Sequence, residues 1–143
     1  MWAYFDTSAV VKRYVDEPGR RDVQGLLRRH DCVTSAILPV ELRSALRRRV
    51  TDRTLDNAHV SEILKRVMAD RAYWTVIEVG TEVLGRAVAL VSVHPLRTLD
   101  AIHVASAQLF ASRMPIADLI FVSADKRQTE VASAIGLITR HVG

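Results

Sequence analysis

Trp2-Ala3-Tyr4-Phe5-Asp6-Thr7-Ser8-Ala9-Val10-Val11 runs from an apolar tetrapeptide through one carboxylate and two hydroxyls into the apolar start of a helix. The acid stands where strand becomes helix. In a sheet of parallel strands, ligands bind in the crevice outside the strands' carboxyl ends, so an acid there is held on a rigid support and faces that crevice. Asp6 would also serve as a plain N-cap, which aspartate does well without any chemistry. The two readings part on whether other acids converge on it.

Three other acids occupy comparable settings. Glu41 interrupts the apolar run Ala36-Ile37-Leu38-Pro39-Val40-Glu41-Leu42, so its carboxylate needs a partner, either a cation such as Arg43 or a metal. Asp100 lies in the first turn of a helix expected to take Thr98 as its N-cap, where the helix dipole keeps an anion ionised. The residues after it, Ala101-Ile102-His103-Val104-Ala105, are small and apolar, so the acid heads a buried helix as a cap or as a ligand. Asp125 follows Leu119-Ile120-Phe121-Val122 through Ser123-Ala124 and repeats the setting of Asp6. Asp118 precedes that strand and is expected at the opposite edge of the sheet, on the surface. Glu78 and Glu82 flank Gly80 and are expected in solvent. His103 is expected to pack in the core rather than touch the acids, and Cys32 to be a buried strand residue without chemistry.

The remaining pattern alternates strands and helices. A helix is expected from Ser8 to Tyr14, ended by Asp16-Glu17-Pro18-Gly19, then an amphipathic helix over 20–29 with Val23, Leu26 and Leu27 inward. A strand over 31–34 leads to a helix with Pro39 in its first turn, then to a helix over 56–70 with Val60, Ile63, Leu64 and Val67 on one face. A strand over 74–79, a helix over 83–91, the helix of Asp100, a strand over 119–122, a helix over 126–135 stopped by Gly136 and a last strand over 137–139 complete the chain, with a soft tail beyond. Short connections between alternating elements imply an α/β fold: one domain, residues 1–143, with a central parallel sheet of about four to five strands flanked by helices on both faces.

Composition narrows the function. At 143 residues, 49% hydrophobic and 25% charged, the chain has the make-up of a globular domain. One cysteine forms neither an internal disulfide nor a thiolate cluster, which removes secreted disulfide scaffolds and zinc fingers. No apolar run reaches the roughly 18 residues of a membrane span, and Asp6 interrupts any signal-peptide core, so no membrane role and a cytoplasmic setting are expected. The 20 Lys and Arg residues, clustered at Arg20-Arg21, Arg28-Arg29 and Arg43 to Arg49, suit a polyanionic partner or simply a solvated arginine-rich surface. Four acids at element junctions, with no competing Cys or His set, form a hard-oxygen donor set, which selects Mg²⁺ or Mn²⁺ and leaves water positions for a phosphate. Two carboxylates about 4 Å apart repel by about 4 kcal/mol at an effective dielectric near 20, so such a cluster implies a bound cation, raised pKa values, or both.

Asp6-Thr7-Ser8-Ala9, Pro39-Val40-Glu41-Leu42, Arg97-Thr98-Leu99-Asp100-Ala101-Ile102-His103-Val104-Ala105 and Val122-Ser123-Ala124-Asp125 together resemble the PIN-domain ribonucleases, and among them the VapC-type toxins of bacterial type II toxin–antitoxin pairs. The resemblance implies that Asp6, Glu41, Asp100 and Asp125 are the catalytic acids that hold Mg²⁺ (or Mn²⁺), with Thr7, Ser8 and Ser123 as polar support. It implies an endoribonuclease that cuts single-stranded or loop RNA by attack of metal-activated water on a phosphodiester, leaving 3′-hydroxyl and 5′-phosphate ends. It also implies a VapB-type antitoxin partner and a homodimer. Arg43 and Arg97 are the first candidates to hold the RNA backbone. The hairpin from Leu38 to Val67 and the Val10-Val11-Tyr14 face are candidate docking surfaces. Two alternatives stand beside this: a catalytically silent PIN-like module that binds RNA or a partner, and a phospho-receiver domain, which needs adjacent acids where this chain has Thr7-Ser8.

Overall fold

Along β1 (Trp2–Phe5) the side chains alternate between two cores: Ala3 and Phe5 enter one, Tyr4 the other. β2 (Asp31–Ser35) divides Cys32 from Val33 in the same way, and β4 (Leu119–Ser123) divides Val122 from Leu119 and Phe121. A strand covered on both faces needs a near-continuous apolar run, which is what these three segments carry. The computed structural model describes residues 1–114 and 118–143. With β3 (Thr75–Ile77) and β5 (Ile138–His141) the strands form one parallel sheet in the order β3-β2-β1-β4-β5.

The first core is closed by α1 (Thr7–Tyr14), α2 (Arg20–Arg29), α3 (Leu38–Thr51) and α4 (Asn57–Arg71), through Val10, Val23, Leu42, Leu46, Ile63 and Val67 among others. The second is closed by α5 (Thr81–Val93), α6 (Thr98–Arg113) and α7 (Lys126–Ala134), through Val83, Leu90, Ile102, Leu109 and Val131. Right-handed crossovers put the connections that step outward from β1 to β3 on one face and those that return to β4 and β5 on the other. The strand order therefore reverses between β1 and β4, and that switch point is where a sheet of this kind opens a crevice.

Several sequence expectations need correction. α6 is not capped by Thr98: Arg97, in extended backbone with φ −76° and ψ 162°, holds the N-cap position and gives no side-chain cap. The strand expected over 74–79 pairs only over Thr75–Ile77, because it is an edge strand whose sole neighbour, β2, ends at Ser35 opposite Ile77. α1 begins at Thr7, and α5 extends two residues beyond the expected helix over 83–91 at both ends. The tail is not soft. β5 continues to His141, the Val142 N–H donates to the Ser123 carbonyl at 3.0 Å, and the Val142 side chain is buried in the first core. Val10, Val11 and Tyr14 are buried there too, as are Leu42, Leu46, Ile63 and Val67, so these residues build the core and offer no docking face. No helix among the described residues is long and apolar enough to cross a membrane.

Candidate functional site

Asp6 leaves β1 at the switch point and caps α1, with Oδ1 accepting the Ala9 N–H at 2.9 Å. Capping does not exhaust its oxygens. The Ser8 hydroxyl donates to both at 2.7 and 2.8 Å, and the Ser123 hydroxyl donates to Oδ2 at 2.7 Å. Asp6 is 1% exposed, and burial pushes its carboxyl pKa up against the opposing pull of His103 and of these hydrogen bonds. Ser8 Oγ also accepts the Ala124 N–H from across the switch point, and Ser123 Oγ accepts the Asp125 N–H within its own turn, both at 3.0 Å. The two hydroxyls thus fasten the end of β4 to the start of α1.

Asp125 then caps α7, its Oδ1 accepting the Arg127 N–H at 2.8 Å. Asp100, in the first turn of α6, accepts the Gln128 Nε2–H on Oδ1 at 3.0 Å and the Arg97 Nε–H on Oδ2 at 3.2 Å. The Arg97 guanidinium also lies 3.9 Å from Asp125 Oδ2, so one cation serves both acids. Glu41 enters from α3. Its Oε1 accepts the Thr7 hydroxyl at 2.7 Å and lies 2.5 Å from His103 Nε2. Burial alone would raise the Glu41 pKa, but the bond to His103, the charge on that ring and the Thr7 hydroxyl together hold it below the usual carboxylate range.

All four acids line one cleft of about 520 Å³, together with Thr7, Ser8, Arg97, His103 and Gln128. Helical phase decides which α3 residues join them. Glu41, Ser44, Ala45 and Arg48 recur at the spacing of one helix face and line the cleft, whereas Arg43 points to a separate hollow with Leu64, Met68 and Arg71. Of the two arginines expected at the site, Arg97 is there and Arg43 is not; the structure places Arg48 and Arg49 in the cleft instead. Nor is Arg43 the partner of Glu41, since His103 and Thr7 take that part.

His103 corrects the expectation of simple core packing. It is 1% exposed, yet it reaches the cleft: Nδ1 is 2.8 Å from the Tyr4 hydroxyl and Nε2 faces Glu41. Tyr4 is itself fully buried, and burial raises its pKa well above the ordinary tyrosine value, so it stays a neutral O–H donor. The ring thus joins the Tyr4 hydroxyl on one side to the Glu41 carboxylate on the other. Gln128 is the second residue the sequence did not announce: it is 4% exposed and lines the cleft. Asp118 is exposed at the other edge, where its carbonyl accepts the Trp2 N–H at 3.1 Å; Glu78 and Glu82 are exposed, and Cys32 is buried in β2 with its thiol pushed up to about 12 by burial.

Among the described residues no three Asp, Glu, His or Cys side chains already close into a metal-binding cluster. The donor chemistry nevertheless fits a hard divalent cation. The four acids present only oxygens, and among the described residues Asp6 is buried without a cation in contact and Gln128 Oε1 is a buried acceptor with no donor. Arg97, which now neutralises Asp100 and Asp125, has a side chain 76% exposed, so displacing it costs little.

No curated protein matches the sequence. Similar solved structures include a toxin–antitoxin complex from Klebsiella pneumoniae (20% identity, TM-score 0.62, 88% of each chain covered). FitAcB from Neisseria gonorrhoeae is similar at 15% identity and a TM-score of 0.66, covering 96% of this chain and 95% of that one. VapBC-1 from nontypeable Haemophilus influenzae is similar at 12% identity and a TM-score of 0.64, covering 99% of this chain and 98% of that one. At these identities the likeness establishes the fold. Residues 3–134 match the PIN domain family, a span that runs from Ala3 in β1 to Ala134 at the end of α7 and takes in all four acids, so the chain belongs to the PIN domain family.

Proposed function

We propose that residues 1–143 act as one PIN domain of the VapC type: a Mg²⁺-dependent (or Mn²⁺-dependent) endoribonuclease and the toxin of a toxin–antitoxin pair. The observation that carries this reading is the meeting of Asp6, Glu41, Asp100 and Asp125 from β1, α3, α6 and the end of β4 in one cleft at the switch point. Asp6, Asp100, Asp125 and Glu41 would hold the cation. When bound, it supplies Lewis acidity, acidifying water and neutralising charge that develops on a phosphodiester. Ser8 and Ser123 fix both Asp6 oxygens, and Thr7 and His103 fix Glu41, so these carboxylates need little reorganisation to receive a ligand. Arg97 at the mouth, with Arg48 along α3, would hold the phosphates of single-stranded or loop RNA.

The folds shared with a toxin–antitoxin complex and with VapBC-1 support a VapB-type antitoxin partner, and the proposal includes a homodimer and a cytoplasmic setting. A second reading, a silent module that binds RNA or a partner, is favoured by one feature: Arg97 already neutralises Asp100 and Asp125 without any metal ion. Labelled RNA incubated with antitoxin-free protein in Mg²⁺, in EDTA and with Asp100→Asn separates the two. Discrete fragments only from the unmutated protein with metal are expected. Folded protein that cuts in no lane overturns the nuclease and leaves the binding module.

A further inference from the structure

Gln128 stands at the third position of α7, three residues after the N-cap Asp125. A glutamine there ordinarily reaches back to accept the N–H of the cap residue, forming a capping box. In this protein that N–H is already given to Ser123 Oγ, at 3.0 Å. Gln128 instead turns inward, and its Nε2 donates to Asp100 Oδ1 at 3.0 Å, tying α7 to α6. A carboxylate only accepts, so this bond fixes the orientation of the amide and leaves Oε1 as a second, separate acceptor. Among the described residues no donor reaches it; it is the buried side-chain polar atom without a partner.

The donors of the cleft are committed elsewhere. Ser8 and Ser123 give to Asp6, Thr7 to Glu41, Arg97 to Asp100 and Lys12 to the Pro18 carbonyl. A buried carbonyl without a donor costs about 1–3 kcal/mol, so Oε1 stands to gain from a donor brought in from outside the chain. Beside four carboxylates, the ligand that brings outward-pointing O–H donors is a hydrated divalent cation, because Mg²⁺ and Mn²⁺ keep several waters when a few carboxylates bind them.

We infer that Gln128 is a positioning residue of the cation site: its amide N–H holds Asp100, and its Oε1 accepts a hydrogen bond from water carried by the ion. This deepens the metal-dependent reading and rests on it. Groups that support metal ligands in this way change metal affinity by about 10- to 100-fold when removed. The test is Mn²⁺ binding by calorimetry to the full chain without RNA, for the wild type, Gln128→Met and Gln128→Asn, with each variant's metal-free melting recorded. Gln128→Met keeps the length and removes both polar atoms; Gln128→Asn keeps the polarity and withdraws it by one methylene, so it folds even where the thioether does not. Both are expected to bind Mn²⁺ about ten-fold or more weakly. A purely structural role would lower metal-free melting and leave the Mn²⁺ affinity of the folded protein unchanged, and that result overturns the inference while the cation site stands. Failure of the wild type to bind Mn²⁺ overturns the cation site and this inference with it.

Discussion

His103 Nε2 lies 2.5 Å from Glu41 Oε1, a contact between α6 and α3 that spans 62 positions of sequence and is backed by the Tyr4 hydroxyl on the other ring nitrogen. Glu41 therefore does not hang free in the cleft; it is held from behind by a ring that is itself held by the central strand. Removing the ring should cost activity more than fold. His103→Ala is expected to lower RNA cleavage by about 10- to 100-fold, the range seen when a ligand's support is lost. Initial rates in Mg²⁺, with the fold checked by circular dichroism, test this; a rate within two-fold of wild type would show that Glu41 needs no such hold.

Tyr4→Phe tests the other end of that chain. It deletes the hydroxyl that faces His103 Nδ1 and leaves a buried ring nitrogen without a partner. The expected loss is about 1–3 kcal/mol in urea unfolding at unchanged slope. No loss of stability would mean that the ring nitrogen finds another partner.

Arg97→Ala should act in two directions. The pair it makes with Asp100 and Asp125 is exposed, so stability should move by less than about 1 kcal/mol. Mn²⁺ should bind more tightly once the competing guanidinium is gone, while RNA binding by the Asp6→Asn protein should weaken, with the salt dependence reduced by about one phosphate contact. Equal RNA affinity with and without Arg97 would remove it from the RNA surface.

Acid stability should depend on Asp70, far from the cleft. Its Oδ2 accepts the Arg13 Nε–H at 2.9 Å and the Tyr14 hydroxyl at 2.6 Å. Burial acts to raise its pKa, but these two bonds and the Arg13 charge outweigh it and bring it below the usual aspartate value. A folded-state pKa below the unfolded one means stabilisation that is complete above the unfolded value, about 3.9, and lost as pH falls through the folded one. Asp70→Asn is therefore expected to cost about 1–2 kcal/mol at pH 7 and progressively less below about pH 4. Denaturant unfolding at pH 7 and pH 3 checks it; an equal cost at both would assign the effect to shape and not to charge.

Gly19 carries a φ of +90°, and a Cβ there would sit 3.0 Å from the Val142 carbonyl carbon. Gly19→Ala is expected to destabilise by about 1–2 kcal/mol from the left-handed backbone alone. Two of the atoms it would meet are backbone, the Val142 carbonyl carbon at 3.0 Å and the Gly143 nitrogen at 3.1 Å, so the chain itself would have to shift; thermal unfolding of Gly19→Ala checks the loss, and an unchanged melting temperature would show that it does so freely.

The central strands, the amphipathic α2 and the strand-end positions of Asp6 and Asp125 were legible because each rests on a local signal: an apolar run, a helical period, an acid at a junction. The helix faces were legible in part. Arg43 and Arg48 look alike as residues of one basic helix, yet counting 3, 4 and 7 onward from Glu41 selects Ser44, Ala45 and Arg48, and that count was the available signal. His103 and Gln128 were not legible. A histidine inside an apolar helix reads as core, which it also is, and a glutamine three residues after an aspartate cap reads as a capping box; only the crossing of α6 with α3 and α7 reveals what each touches. The seating of Val142 depends on Gly19 and Ser123, both distant in sequence, and two residues after a strand carry no period from which to read it.

β1 sits at the middle of the sheet, but its two neighbours arrive at very different times during synthesis: β2 begins at Asp31 and β4 at Leu119. Until β4 emerges from the ribosome, β1 is an open edge, and pairings this distant in sequence form slowly. The same strand delivers Ser123, which fixes Asp6, and leads to Asp125. A chain without β4 thus lacks Asp125 beside the other acids and leaves one edge of an apolar strand unpaired. The pairing of β4 with β1 and the gathering of the four acids are one event, so the cleft does not exist until that strand is in place.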